Sequence, residues 1–158
     1  MTILKLLGVG LILGAGGAAA SFGVRFEKRK LAVLAGWIHL IRYIRSQVDC
    51  YLLPMPQILE RADTALLEEC LCRQPKPDLP AVYHASQIYL DAEAQRLLSS
   101  FVREYGFETR EELLRLSNYY MAALGQIRAR RMEELRAKTR VIFAVCIGTA
   151  ILISILLW

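Results

Sequence analysis

The chain has 158 residues, of which 55% are hydrophobic, and its mean hydropathy is +0.33. It is more apolar than an average soluble domain of this length, so part of it is expected to face lipid. The formal charge of +5 and the pI of about 9.2 do not by themselves indicate a nucleic-acid partner, because the basic residues gather beside the two apolar ends of the chain.

The first apolar segment, residues 6–24, carries no charge over about 19 residues, close to the ~20 that cross a bilayer as a helix. Lys5, the apolar stretch and Ala18-Ala19-Ala20 also resemble a secretory signal with a small-residue cleavage site. The segment is therefore either a membrane anchor or the signal of an exported protein. In the second case the chain is cleaved after Ala20 and held outside by a C-terminal anchor.

Basic residues on both sides of the central region favour the anchor. The membrane-flanking basic residues are Arg25, Lys28, Arg29 and Lys30 after the first apolar segment, and Arg136, Lys138 and Arg140 before the second. Positive charge beside a span stays on the cytoplasmic side. The second apolar segment, residues 141–158, ends on a tryptophan suited to the membrane interface. We therefore predict an N-terminal transmembrane helix at 1–25, a cytoplasmic helical domain at 26–140 and a C-terminal transmembrane helix at 141–158.

Apolar residues recur at helical spacing after the first predicted span and extend its helix to about Leu52. The predicted stripe is Leu31, Leu34, Ile38, Ile41 and Val48. Pro54 should end this helix, since proline disfavours helix in the preceding residue and lacks an N–H. A second helix is expected from about Pro56, at a first-turn position where the missing N–H costs nothing. Its predicted inner face is Ile58, Leu59, Ala62, Leu66 and Cys70.

A proline-punctuated loop at residues 73–80 separates these helices from a short helix predicted at 81–90. Asp91 is placed to cap the next helix and Gly106 to end it, with Ala94, Leu97, Leu98, Phe101 and Val102 on its inner face. Thr109 and Glu112 form a capping-box pattern. The last helix is predicted to run from Arg110 into the second span, with Leu113, Leu116, Tyr120, Leu124 and Ile127 facing the other helices.

The residue types that carry catalysis are present without the spacing that catalysis needs. His39 and His84 each stand alone, and Cys70-Leu71-Cys72 lacks a second pair to complete a metal site. We expect the cysteines to be free and mostly buried, because a cytoplasmic centre keeps thiols reduced. The sequence predicts no enzyme, no cofactor, no metal and no nucleic-acid partner.

Several motifs together resemble the stage III sporulation protein AB family of endospore-forming bacteria. The resemblance rests on Leu6-Leu7-Gly8 in the first span, on residues 47–50 followed by the Pro54–Leu59 turn, and on residues 101–106 followed by Thr109. A long basic helix and an apolar C-terminal anchor close both patterns. The resemblance spans the whole chain.

The resemblance implies an all-α fold, with a helical-bundle cytoplasmic domain similar to that of the platform proteins of type II secretion. It implies a non-catalytic membrane adaptor that docks a cytoplasmic secretion-type ATPase, stage III sporulation protein AA, and links it to other membrane proteins of the forespore channel. The implied location is the outer forespore membrane, with the centre on the mother-cell side. The family turn gives the candidate partner contacts: Pro54, Met55, Pro56, Gln57 and Leu59.

Overall fold

The computed structural model describes residues 2–51, 53–74, 78–105 and 109–156, without the side chains of residues 2–20, 143, 146, 147 and 150–156. Helices account for the regular structure of these residues, and no strand occurs among them. The helices are α1 (Thr2–Tyr51), α2 (Met55–Glu60), α3 (Thr64–Glu69), α4 (Leu79–Ser86), a 3₁₀ helix (Gln87–Tyr89), α5 (Ala92–Glu104) and α6 (Arg110–Leu156). The predicted all-α class is therefore confirmed for the described residues.

The chain divides into two compact units. One, the core unit, consists of residues 29–130, and the other, the terminal unit, consists of residues 1–28 together with 131–158. α1 and α6 contribute residues to both units. The hydrophobic core described below belongs to the core unit.

α1 is continuous from the first apolar segment to Tyr51, as predicted, and it supplies more of the core than the predicted stripe. Leu34, Ile41 and Val48 are buried as expected, and Ile38 packs against the core. The buried residues that the prediction missed are Val33, Trp37, Leu40 and Ile44. A helix surrounded by others buries more than one face, so a single stripe underestimates its contribution.

The single helix predicted from Pro56 to Cys70 is wrong, because the structure contains two helices there. α2 ends with Arg61 as its C-cap, and Asp63 then caps α3 by accepting a hydrogen bond from the Ala65 N–H at 3.1 Å. An aspartate side chain that bonds the backbone two residues on competes with a continuing helix. The inner-face residues remain buried or half-buried on either side of this break.

α3 lies close to α1 at Gly36. A Cβ atom added at Gly36 would lie 2.9 Å from the backbone carbon and oxygen of Glu69, so only glycine permits this approach. The Nδ1 atom of His39, one turn along α1, is 2.9 Å from Oε2 of the same glutamate. His39 thus joins two helices, as an ordinary interface residue does.

α3 ends in a Schellman motif whose left-handed residue is Leu71, at φ 62°. The N–H of Cys72 donates to the Leu67 carbonyl at 3.0 Å, and the N–H of Leu71 donates to the Glu68 carbonyl at 2.9 Å. Leu67 and Cys72 are both buried, which supplies the apolar contact that accompanies this motif. Glycine is the usual residue at the left-handed position, so the sequence carried little signal for this turn.

The short helix predicted at 81–90 begins two residues earlier, at Leu79, and continues into the 3₁₀ helix. α5 begins after Asp91 as predicted, with Ala94, Leu98 and Phe101 buried. The Asp91 side chain makes no capping hydrogen bond; its carboxylate is instead 4.0 Å from the Lys30 ammonium. The predicted stop at Gly106 lies outside the described residues.

α6 begins at the predicted cap and runs without a break to Leu156. The Thr109 N–H donates to Glu112 Oε2 at 3.0 Å, and the Thr109 hydroxyl donates to the same oxygen at 2.8 Å. These two bonds lower the pKa of Glu112. The Arg110 guanidinium also reaches the end of α1, 2.5 Å from the Asp49 carboxylate. Tyr120, Leu124 and Ile127 are buried as predicted.

Candidate partner-binding site

The Pro-Met-Pro turn joins α1 to α2 and presents most of its side chains at the surface. Pro54 is the N-cap of α2, and its carbonyl accepts hydrogen bonds from the N–H groups of Gln57 at 3.0 Å and Ile58 at 3.2 Å. Pro56 lies in the first turn, where it removes no helical hydrogen bond. Pro54, Pro56 and Gln57 are exposed, and Met55 is half-buried. Four of the five predicted contact residues are thus accessible.

Leu59, the fifth predicted contact, lies below the surface. Its side chain is 1% exposed, and the neighbouring Ile58 is fully buried in the core. Full burial of a leucine or isoleucine side chain contributes about 1.5–3 kcal/mol. Leu59 therefore fixes the position of the turn against the core.

A cleft of about 450 Å³ opens beside this turn. Its lining brings together residues distant in the sequence: Met55, Pro56, Leu59, Glu60, Asp78, Leu79, Pro80, Val102 and Tyr105. The turn and the start of α4 form two of its walls, and the end of α5 supplies the third. A mostly apolar cleft with a few polar groups is typical of a binding site.

The α4 wall repeats the chemistry of the α2 wall. The Asp78 carboxylate accepts a hydrogen bond from the Ala81 N–H at 2.8 Å and so caps α4, while Pro80 lies in the first turn. Both walls thus pair a helix start with a first-turn proline. Rigid prolines order a surface before it binds, which reduces the entropy lost on binding.

Tyr105 ends α5 and lines the third wall of the cleft. Its N–H donates to the Phe101 carbonyl at 3.0 Å, and its ring lies 5.1 Å from that of Phe101. The hydroxyl oxygen is buried and has no hydrogen-bond partner among the described residues. Burial raises the pKa of Tyr105, so the group is a neutral donor. An unsatisfied buried hydroxyl costs about 1–3 kcal/mol.

Among the described residues, the charged members of the cleft lining are Glu60 and Asp78, so its polar part is acidic. An apolar cleft with a negative rim favours an apolar side chain accompanied by a basic one. The sequence identified the turn but missed the Asp78–Pro80 wall and Tyr105. An Asp-x-Pro pattern before a helix was the signal for the first of these, and no local pattern indicated the second.

The predicted membrane-flanking basic residues fall into two groups. Arg29 and Lys30 belong to the core unit and contact its other residues: the Arg29 guanidinium lies 5.2 Å from the ring centre of Tyr89, and Lys30 faces Asp91. The remaining members are exposed residues of the terminal unit: Arg25, Lys28, Arg136, Lys138 and Arg140. That unit also exposes the large apolar side chains of Phe22 (76%), Phe26 (42%), Val141 (61%) and Val145 (58%).

The cysteines considered for metal or redox chemistry are free thiols where they are described. Cys70 and Cys72 are buried and Cys50 is exposed, all three as free thiols; Cys146 lies outside the described side chains. Burial raises the pKa of Cys70 to about 12, so its thiol is protonated and unreactive at neutral pH. No group of three His, Cys, Asp or Glu residues in the described part of the chain is arranged to hold a metal ion.

Within the part of the chain that the structure describes, no helical segment combines the length and the apolarity that crossing a membrane requires. Most of the two predicted spans, 6–24 and 141–158, lies outside the residues described with their side chains. No family model matches the chain, and neither a curated protein nor a solved structure is significantly similar to it.

Proposed function

We propose that this protein is a non-catalytic membrane adaptor of the stage III sporulation protein AB family. In this role the terminal unit anchors the chain in the outer forespore membrane. The core unit, on the mother-cell side, docks the ATPase stage III sporulation protein AA and links it to other membrane proteins of the channel. The fold of the core unit would then resemble the cytoplasmic domain of type II secretion platform proteins.

The observation that carries the membrane part of the proposal is the surface of the terminal unit. It exposes aromatic and valine side chains such as Phe22 and Val141 beside exposed basic residues such as Arg25 and Arg140. Exposed apolar side chains next to positive charge are favourable at an anionic membrane surface. The basic residues that follow the first apolar segment, Arg25 and Lys28 among them, favour an uncleaved anchor over an exported protein.

The cleft beside the Pro-Met-Pro turn supports the docking part. Its prolines preorder an accessible surface, and its acidic lining gives it a preference for a basic segment. The proposal therefore places the ATPase contact at this cleft and at the exposed residues Pro54, Pro56 and Gln57.

The docking proposal is tested by pull-down of the ATPase with the full chain in mild detergent. Pro56→Arg places a bulky positive charge at the edge of the cleft. Ala65→Arg is the matched control, because Ala65 is also exposed and occupies the same second position of its helix, α3. A basic residue near a helix N-terminus is unfavourable to the helix dipole, and any loss of stability from this effect is then common to both variants.

We expect Pro56→Arg to weaken ATPase binding at least about tenfold, which corresponds to ~1.4 kcal/mol, and Ala65→Arg to leave it unchanged. Equal binding by both variants would remove the cleft from the proposal. Failure of the unmodified chain to bind the ATPase would remove the adaptor role.

The anchoring proposal is tested separately by a topology reporter inserted after Arg73. A cytoplasmic signal from this reporter, together with an intact N-terminus by mass spectrometry, is the expected result. A chain that begins at Ser21 would instead identify the exported protein with a cleaved signal and a C-terminal anchor.

A further inference from the structure

The 3₁₀ helix exposes the most accessible large apolar side chain described in the core unit. Ile88 is 80% exposed, whereas Tyr89, the next residue, is half-buried and packs against the core. A single exposed isoleucine is common on protein surfaces, so exposure alone assigns no role to Ile88. Its position relative to the basic residues of the core unit is what distinguishes it.

Three residues that follow Ile88 at alternate positions each contact a basic residue from an end of the core unit. The Tyr89 ring lies under the Arg29 guanidinium at 5.2 Å, and the Asp91 carboxylate lies 4.0 Å from the Lys30 ammonium. Glu93 forms an ion pair with Arg130. These contacts hold the 3₁₀ helix beside the first and last residues of the core unit, 29 and 130.

Covalent connectivity limits the distance of this segment from the first apolar segment. Arg29 follows Val24 by five residues within the continuous helix α1, and five helical residues rise about 7.5 Å. The interfacial layer on each side of a bilayer is about 5–8 Å thick. Under the proposed function the residues beside Arg29 therefore lie within reach of the lipid headgroups.

We propose that Ile88 inserts into the headgroup layer of the membrane that anchors the chain, and that anionic headgroups bind Arg29 and Lys30 beside it. An aliphatic side chain flanked by basic residues is the combination that binds an anionic lipid interface. The contact would fix the core unit on the membrane surface. This inference rests on the anchoring part of the proposed function.

A fluorescent label at position 88 is compared with the same label at Tyr51, the last residue of α1. Tyr51 is also exposed, at 66%, and within α1 it lies about 33 Å from Arg29 at 1.5 Å per residue. Ile88→Cys and Tyr51→Cys are prepared in a full chain that carries Cys50→Ser and Cys146→Ser, and each is labelled with a polarity-sensitive fluorophore. Cys70 and Cys72 are buried, and the parent chain without an added cysteine gives their background labelling.

Both labelled chains are reconstituted in vesicles of phosphatidylcholine and phosphatidylglycerol in equal parts, with a quencher attached to a fraction of the headgroups. We expect a blue shift and loss of most of the emission at position 88, with neither at position 51. Equal emission from both labels in protein that floats with the vesicles would overturn the inference and leave the anchor intact. A blue shift at position 88 without quenching would also overturn it, because the label would then be buried against protein. A chain that does not float with the vesicles at all would overturn the anchor, and this inference with it.

Discussion

The hydrogen bond between Trp37 and Ser86 gives the most direct test of the core unit. Trp37 is fully buried, and its indole N–H donates to the Ser86 hydroxyl at 2.9 Å. That hydroxyl is buried as well and donates in turn to a carbonyl of its own helix, Val82 at 3.1 Å or Tyr83 at 3.0 Å. The Ser86 hydroxyl is therefore the acceptor that satisfies the buried indole N–H.

Ser86→Ala removes the acceptor and leaves the indole N–H buried without a partner. An unsatisfied buried donor costs about 1–3 kcal/mol, and the better helix propensity of alanine returns at most about 0.5 kcal/mol. We expect the free energy of unfolding to fall by about 0.5–2.5 kcal/mol. For a domain of about 100 residues, each kcal/mol corresponds to a decrease of ~4 °C in Tm.

The assay is unfolding of the full chain in mild detergent, followed by Trp37 fluorescence in a Trp158→Phe background. Ser99→Ala is the matched control, because Ser99 is an exposed helical serine whose hydroxyl donates only to its own helix, at the Arg96 carbonyl. Trp37→Phe removes the N–H, so in that background, followed by circular dichroism, Ser86→Ala should cost much less. A Ser86→Ala variant within about 0.5 kcal/mol of the Ser99→Ala variant, the usual range for surface substitutions, would refute the reasoning.

Four further substitutions test the packing of the helices and the cap of α6. Gly36→Ala should lower the free energy of unfolding by about 1–3 kcal/mol because its Cβ would press on the backbone of Glu69. Gly125→Ala, in open space within α6, should raise the free energy of unfolding by up to about 1 kcal/mol. Urea unfolding measures both variants, and equal effects would contradict the close approach of Gly36 to Glu69. Ser117→Ala should raise stability by about 1 kcal/mol in the same assay, because the buried Ser117 hydroxyl has no partner among the described residues, and a loss would show that it has one. The pKa of Glu112 is lowered in the folded chain, so its ionised side chain stabilises the fold. This stabilisation is fully present above the pKa of glutamate in the unfolded chain, about 4.3, and is lost as the pH falls through the lower pKa of the folded chain. Glu112→Gln should therefore lose part of the dependence of Tm on pH in that acidic range, and an unchanged profile would exclude the cap as its source.

Local signals predicted the ends of the long helices well. Pro54 ends the first helix, and the Thr109–Glu112 cap starts the last, because both effects act within one helical turn. The break at Asp63 was also encoded locally, but the apolar spacing on either side continued the helical pattern and concealed it. In the segment around Asp63, periodicity thus predicted which residues are buried but not where the helix stops.

The cleft depended on contacts that no local pattern contains. Met55, Pro80 and Tyr105 line one space although about 25 residues separate each from the next, and bringing such segments together is a property of the packed fold. The sequence predicted the accessible turn but not the two walls opposite it. The extent of burial along α1 was missed for the same reason, since the burial of Trp37 depends on α4, which supplies Ser86.

The left-handed residue that ends α3 has a consequence for the order of folding. A non-glycine residue at positive φ is disfavoured by roughly 1–2 kcal/mol, and a six-residue helix is too short to form alone. Leu71 itself packs against the core, as the buried Leu67 and Cys72 do. The turn after α3 therefore cannot guide the chain early in folding, and it forms only when the other helices are already in place to receive these three side chains.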